Sequence, residues 1–427
     1  MSIPFTNWSG RHTSMPADRA APKSEDEVCE IVRRAVATNR RVKVVGAGHS
    51  FSDIAMTDGV LVSLDAMDKV LAIDLQRGIV RVQAGKRLAA FCAEMAGAGL
   101  TLPILGSIAA QSLGGLVATG THGSSLRHGN LATQIVAMRL VNGDGDVVVL
   151  DEGDPRLAGA RVSLGLLGIV TELSLQLEPM FTVAESTHPM PFEAGVDRFS
   201  AEMSAHEYTK FWWLPHTNRA QVFTGERTAD KANFSERQRT FDENVVNAWV
   251  FPVVLWLGNL FPGLIGPFNR LIGALYFKRT RTVGSPHRVL TLAMPPRHFE
   301  AEWAIPVEHF TVAIRRVRDL VETLHVNFIL EARLVRADQN WMSPAYGRDS
   351  VQIGTYITNP ADRDAFFAGA AAIFTDYGGR PHWGKENSLD GAAASPLYPE
   401  FPAFAALVKE LDPAATFSNA MRERLLR

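Results

Sequence analysis

The sequence predicts an α+β chain of two domains, and three observations carry that reading. The first 180 residues alternate short β-branched runs with amphipathic helix. The texture changes after Pro179, where six of the eight tryptophans fall before about residue 375, and Gly/Pro punctuation returns in the last fifty residues. With 427 residues, two to three domains of roughly 150 residues are expected, and 46% hydrophobic with 21% charged residues is an ordinary globular composition. The expected boundaries are 1–180 for the first domain, 181–375 for a second with its own sheet, and 376–427 for a segment able to pack on either.

Taken in order, "SEDEVCEIVRRAVATN" places a serine before an acidic first turn, with Val28, Ile31, Val32 and Val36 on one face. This predicts a capped helix over residues 24–39. "RVKVVGAGHS" is a β-branched run ending in glycines, and "VLVSL" follows the turn dipeptide Asp58-Gly59. Further strands are expected at 79–83, 134–141, 146–150 and 168–177. Beyond Pro179, "EYTKFWWLP" and "VNFILEARLV" read as strands, and "FAALVKELD" near the end reads as a helix. Residues 244–269 contain no charged side chain, but Pro252, Pro262 and Pro267 break a continuous span. A buried core element is the leading expectation there, with a peripheral membrane contact left open.

Composition excludes several functions. Net charge is −2 and no Lys/Arg run exceeds a pair, so no phosphate-backbone footprint is visible and nucleic acid is not an expected partner. Cys29 and Cys92 stand far apart, which fits neither a zinc site nor a disulfide framework and agrees with a reducing compartment. "MSIPFTNWSGRH" has no secretory or transit pattern. The expected location is cytoplasmic.

Chemistry is concentrated in a few segments. "VVGAGHSFSD" sets Gly46 and Gly48 after a strand, where glycines let backbone N–H groups approach a diphosphate. Phe51 stands where the dinucleotide fingerprint needs its third glycine, and the next strand begins too soon for a crossover helix, so a Rossmann unit is not expected. Two more glycine-rich loops, residues 106–125 and 164–177, suit either ordinary turns or a long phosphate-bearing cofactor. His49 lies between Gly48 and Ser50, and is either a structural histidine or a ligand-facing one. No H-x-H or H-E-x-x-H spacing supports a metal, and no G-x-S-x-G elbow is present. "FILEARLV" puts Glu331 and Arg333 on one face of a strand, as a salt bridge or as substrate-facing groups. "RPHWGKENS" adds His382 and Lys385 in a glycine-punctuated loop.

These segments together resemble the vanillyl-alcohol-oxidase-type flavoproteins, and within them the sugar-1,4-lactone oxidase group that includes gulonolactone, arabinonolactone and, more distantly, alditol oxidases. The resemblance runs from "NWSGRH" through "VKVVGAGHSFSDIAMTDG", "GGLVATGTHGSSLRHGNLATQIV" and "VSLGLLGIVTEL" to "EARLV", "RPHWGKENS" and "LDPAATFSN". It implies an FAD domain of the PCMH type, built from the first 180 residues and the C-terminal tail, with an α+β cap between. It implies a covalent link from His49 to the flavin. A diphosphate cradle of Val45, Gly46, Ala47, Gly48, Ser50 and Phe51 is likewise implied. Gly106, Ser107, Ser112, Gly115, Thr119, Gly120 and His122 would line the flavin, with Ile169 on the adenine side. Glu331 would position substrate hydroxyls, while Arg333 and Lys385 would stabilise charge developing at flavin N1 and the C2 carbonyl. Gly106 would leave the dioxygen path to the flavin open. Ile353, where alditol oxidases carry a histidine, would favour a lactone. The implied activity is oxidation of an aldono-1,4-lactone with dioxygen or another electron acceptor, giving an ascorbate-type product. The alternatives are a polyol or sugar oxidase, or a membrane-associated dehydrogenase passing electrons to a cytochrome or quinone.

Overall fold

The computed structural model describes residues 3–427. The first helix runs Glu25–Ala37; Ser24 is extended and its hydroxyl accepts from the Glu27 N–H, which satisfies one of the free donors of the first turn. Its buried face, Val28, Cys29, Val32 and Ala35, packs on Val42, Val60 and Val62. Those valines belong to a parallel sheet ordered Asp18–Ala20, Val60–Ser63, Val42–Val45. The last two strands are parallel although residues 46–59 between them form no helix. This crossover is irregular, which agrees with the rejection of a Rossmann unit and frees the loop to face a ligand. An antiparallel sheet ordered Val147–Asp151, Ile135–Val141, Ile169–Gln176, Ile79–Gln83, Val70–Asp74 completes this body. Both cysteines are buried and free.

After Glu178–Pro179, which pairs with Leu100–Thr101, the chain enters an eight-stranded sheet. Its order is Arg281–Gly284, Thr182–Met190, Arg219–Thr228, Tyr208–Leu214, Leu330–Val335, Ser350–Ile357, Phe299–Pro306, Arg380–Pro381. One face carries Phe211, Trp213, Ile305, Ala332, Leu334, Val351 and Ile353 into a core shared with the helices Phe192–Glu202, Phe310–Glu322 and Pro360–Thr375. The opposite face turns toward the first body. Coverage on both sides leaves Leu330–Val335 and Ser350–Ile357 wholly buried.

The tail then rejoins the first body. Phe404, Leu407, Val408 and Met421 share a core with Leu116, Leu140 and Leu173, and Phe417 packs with Val28 and Val60. Asp412 is fully buried and accepts from the Thr416 and Phe417 N–H groups and from Arg422 at 2.5 Å. Asn419 donates to the carbonyls of Asp53, Ile54 and Met56. The tail therefore braces the loop that follows Val42–Val45.

The uncharged stretch is not the core element that was expected. It forms a helical hairpin, with Phe251–Leu260 and Ile265–Tyr276 as its arms. Pro267 sits in the first turn of the second arm, where a missing N–H costs nothing, whereas Pro252 follows directly on the π-helical turns Asp242–Val250, whose wider hydrogen-bond pattern accommodates it. Among the described residues no helix is long and apolar enough to cross a membrane.

Candidate active site

The loop after Val42–Val45 is pinned from the N-terminus. Trp8 donates its backbone N–H to the Gly48 carbonyl at 2.8 Å, and Asn7 Nδ2 donates to the carbonyls of Ser50 and Phe51 at 3.0 and 3.2 Å. Gly48 has φ +69°, which favours glycine, and a Cβ on Gly46 would stand 2.0 Å from Ser112 Oγ and force that hydroxyl to turn away. The result is a narrow channel of about 120 Å³ lined by Val45, Gly46, Ala47, Gly48, His49, Ser50, Ser112, Gly115 and Thr119, with Lys43, Gly165 and Phe417 at its far side. Phe51, expected in the diphosphate cradle, lines the neighbouring chamber instead, and two residues expected at the cofactor, Gly120 and Ile169, line neither cavity. Gly120 (φ +73°) makes a turn beside Val162 and Pro344, and the Ile169 side chain enters the core with Val28 and Val141, leaving Gly168 and Val170 at the wall.

At His49 and Gln111 the channel meets a chamber of about 420 Å³. His49 stacks on Trp8 with ring centroids 5.4 Å apart. Burial, aided by the nearby Lys385 charge, pushes its pKa down to about 4, so the imidazole is neutral at neutral pH. Phe51, Gly106, Ser107 and His122 line the chamber from the first body, and Glu331, Arg333 and Lys385 from the opposite side. A Cβ on Gly106 would stand 2.7 Å from the Thr121 methyl, so this position is closely packed as well as small.

The polar face of the large sheet forms the other wall. Backbone register aligns Trp212, Glu331, Gly354 and Glu302 across four strands, and side chains in register share a face. Trp212 Nε1 donates to Glu331 Oε1 at 2.8 Å, the Tyr356 hydroxyl donates to Oε2 at 3.2 Å, and Arg333 Nε lies 3.2 Å from Oε2. Arg333 also donates to Glu302 at 3.0 Å. Burial opposes its charge, but Glu331 and Glu302 outweigh burial and raise its pKa. Burial likewise opposes ionisation of Glu302, yet Arg333 and His122 hold its pKa well below the usual carboxylate range. Lys385 pairs with Glu300 and lies over the Phe51 ring. Glu331 and Arg333 thus do pair, as one sequence reading allowed, and both also line the chamber.

The sequence reading missed Glu300 and Glu302, together with the supporting Trp212, His298 and Tyr356. A signal existed: "FEAEWAI" sets two glutamates two residues apart in an apolar strand. Ile353 requires a correction. Its side chain enters the cap core on the far face of the sheet, while Gln352, Gly354 and Tyr356 take the site face, so Ile353 says nothing about lactone against polyol. His122, Glu302 and His382 converge with ligand-type atoms within 4.8 Å of one another. However, the Gly384 N–H donates into His382 Nδ1, which leaves the ring hydrogen on Nε2, and Arg333 already supplies the positive charge. The trio reads as an ion-pair network rather than a metal centre.

Channel and chamber fit FAD. The glycine-walled channel suits a diphosphate, and the chamber beside it holds buried polar atoms without hydrogen-bond partners in the protein: Thr121 Oγ1, Glu300 Oε1 and Glu302 Oε2. Comparison with known proteins agrees. Residues 16–151 match an FAD binding domain and residues 173–425 match the D-arabinono-1,4-lactone oxidase family. The chain is 34% identical to L-gulono-1,4-lactone dehydrogenase of Mycobacterium tuberculosis, covering 100% of both chains. It is 31% identical to L-gulonolactone oxidase of Bos taurus, covering 99% of this chain and 98% of the other. Among solved structures, cholesterol oxidase from B. sterolicum has the same fold, with a TM-score of 0.84 at 15% identity over 100% of this chain and 97% of that one.

Proposed function

The chain belongs to the D-arabinono-1,4-lactone oxidase family of FAD-dependent oxidoreductases acting on CH–OH groups, and from that premise we propose that it oxidises an aldono-1,4-lactone of the gulono, galactono or arabinono type. The product would be a keto-lactone that tautomerises to an ascorbate-type enediol. The observation that carries this reading is the Glu331–Arg333 pair facing Lys385 across one chamber.

FAD, when bound, accepts the hydride from the carbinol carbon. Val45 through Ser50, with Ser112, Gly115 and Thr119, would cradle its diphosphate, and His49 would hold it covalently, its neutral imidazole being free to form the bond. Glu331 binds and orients the substrate. Oε1 accepts from Trp212 alone and Oε2 faces both Tyr356 and Arg333, so Oε1 in particular retains capacity for a sugar hydroxyl. Its hydroxyl partner would also find there an acceptor for the departing proton. Arg333 and Lys385 would supply two cations to the negative charge that develops on a bound flavin, and they are already oriented by Glu331, Glu302 and Glu300, so little reorganisation would accompany the reaction. Gly106 would put no side chain of its own beside the flavin, but Thr121 packs against it, and the dehydrogenase name of a relative keeps an acceptor other than dioxygen in view.

The test is anaerobic mixing of the purified enzyme with each lactone and, separately, with open-chain polyols, following loss of visible flavin absorbance. Bleaching by a lactone is expected, and Glu331→Gln should slow it about a hundredfold with the resting spectrum unchanged. Bleaching by polyols alone would move the assignment to a polyol oxidase. A variant as fast as the parent would remove Glu331 from the chemistry.

A further inference from the structure

The hairpin Phe251–Tyr276 and the turn of helix before it are anchored by their polar side chains. Asn247 Nδ2 donates to the Met294 carbonyl at 3.0 Å, Asn269 Nδ2 to the Pro215 carbonyl at 3.0 Å, and Asn259 Oδ1 accepts from Asn327 Nδ2 at 2.7 Å. A second set of large apolar residues takes the opposite, outer side. Trp249, Val253, Trp256 and Leu260 recur at helical spacing along one stripe, and Leu271 and Leu275 form a second; Trp249 is 72% and Trp256 60% exposed. More than half of the described chain's exposed large apolar side chains fall within residues 241–276. These outward side chains have no partner in the chain, although apolar side chains also fill the inner side, and an exposed apolar patch of this kind marks an interaction site.

Charge selects the occupant. Arg237, Arg270, Lys278 and Arg279 lie exposed within or beside the segment, and among the described residues none pairs with a carboxylate. Between Ser235 and Phe277 the exposed carboxylates are Glu236, which pairs with Arg288, and Glu243. A two-fold contact with a second copy would bring together two patches of the same net positive sign. An anionic surface would instead attract them, at about 1 kcal/mol per cation. Tryptophan and tyrosine beside apolar residues and flanking cations is also the composition that settles at a headgroup boundary.

We propose that the outer face of this hairpin docks on an anionic lipid bilayer, lying in the headgroup region without crossing it. The inner sides of the same helices, Val246, Phe251, Leu255 and Ile272, wall the chamber. Docking therefore sets the roof of the site against the lipid. This inference does not depend on which substrate the site takes.

The experiment is co-sedimentation of the full flavin-loaded chain with vesicles of phosphatidylcholine alone, or of phosphatidylcholine mixed equally with phosphatidylglycerol. Tryptophan emission is recorded alongside, and no substrate is needed. Binding to the anionic vesicles with a blue shift is expected, weakening with salt. Trp249→Ser with Trp256→Ser should abolish it while flavin absorbance and the melting temperature stay those of the parent. Arg270→Gln and Arg279→Gln should each weaken binding about fivefold, following the 1 kcal/mol above. Failure of the parent chain to sediment with either vesicle overturns the proposal, as does a tryptophan double variant that binds unchanged. A concentration-dependent dimer that the double variant abolishes, with no vesicle binding, assigns the face to a second copy instead. Lactone oxidation could fail in every one of these cases or succeed in every one, so the two readings are separable.

Discussion

His49 shows how a residue ambiguous in sequence becomes defined by what surrounds it. A histidine after a strand has many uses, and only the fold places this one where channel and chamber meet, stacked on Trp8 and kept neutral by burial and Lys385. If it carries the flavin, acid precipitation of the parent protein leaves the yellow colour in the pellet, and His49→Ala releases it to the supernatant. Colour retained in the variant's pellet would sink the assignment. Glu302 is the converse case. As a carboxylate on a strand it drew no notice in the sequence, yet it is the buried partner that orients Arg333.

At the scale of elements, the site is a property of strand register. Glu331 and Glu302 lie on strands separated in the sheet by Ser350–Ile357, and Gly354 stands between them. A Cβ on Gly354 would stand 2.6 Å from the Tyr356 ring, so the glycine lets that ring fold back and its hydroxyl reach Glu331. Gly354→Ala should displace Tyr356, remove one donor from Glu331 and lower turnover about tenfold, corresponding to one lost hydrogen bond of about 1 kcal/mol or slightly more. Tyr356→Phe should match it in steady-state kinetics. A Gly354→Ala enzyme with parental turnover would show that the hydroxyl contributes nothing. The strands themselves were legible because β-branched and aromatic runs are local signals. Their order in the sheet was not, since pairing Tyr208–Leu214 with Leu330–Val335 joins segments more than a hundred residues apart.

For the whole molecule, the buried charges between the two bodies predict sensitivity to acid. Burial depresses the His382 pKa to about 3, and Lys385 holds Glu300 below its ordinary value against the opposing effect of burial, as Arg333 does for Glu302. All three groups bind fewer protons folded than unfolded, so the stability they confer is present above their unfolded values and lost as pH falls through their folded ones. For His382 the window opens near pH 6.5, with a slope approaching about 1.4 kcal/mol per pH unit, and the two carboxylates add to it below about pH 4.5. Denaturant midpoints that fall from pH 7 to pH 4 are expected; midpoints that rise on acidification would contradict the arrangement. By itself the sequence determined the helix Glu25–Ala37 and most strands of the first body, the glycine loop with His49, and the Glu331–Arg333 pair, because periodicity, turn chemistry and motifs are written over short stretches of chain. Only the tertiary structure decided the rest. It brought Glu300, Glu302 and Tyr356 to the same wall, sent Ile169 and Ile353 into cores, and turned an uncharged segment into a hairpin with its asparagines inward. Each of those outcomes depends on which distant surface a side chain meets, and burial and pairing across a fold leave no local trace.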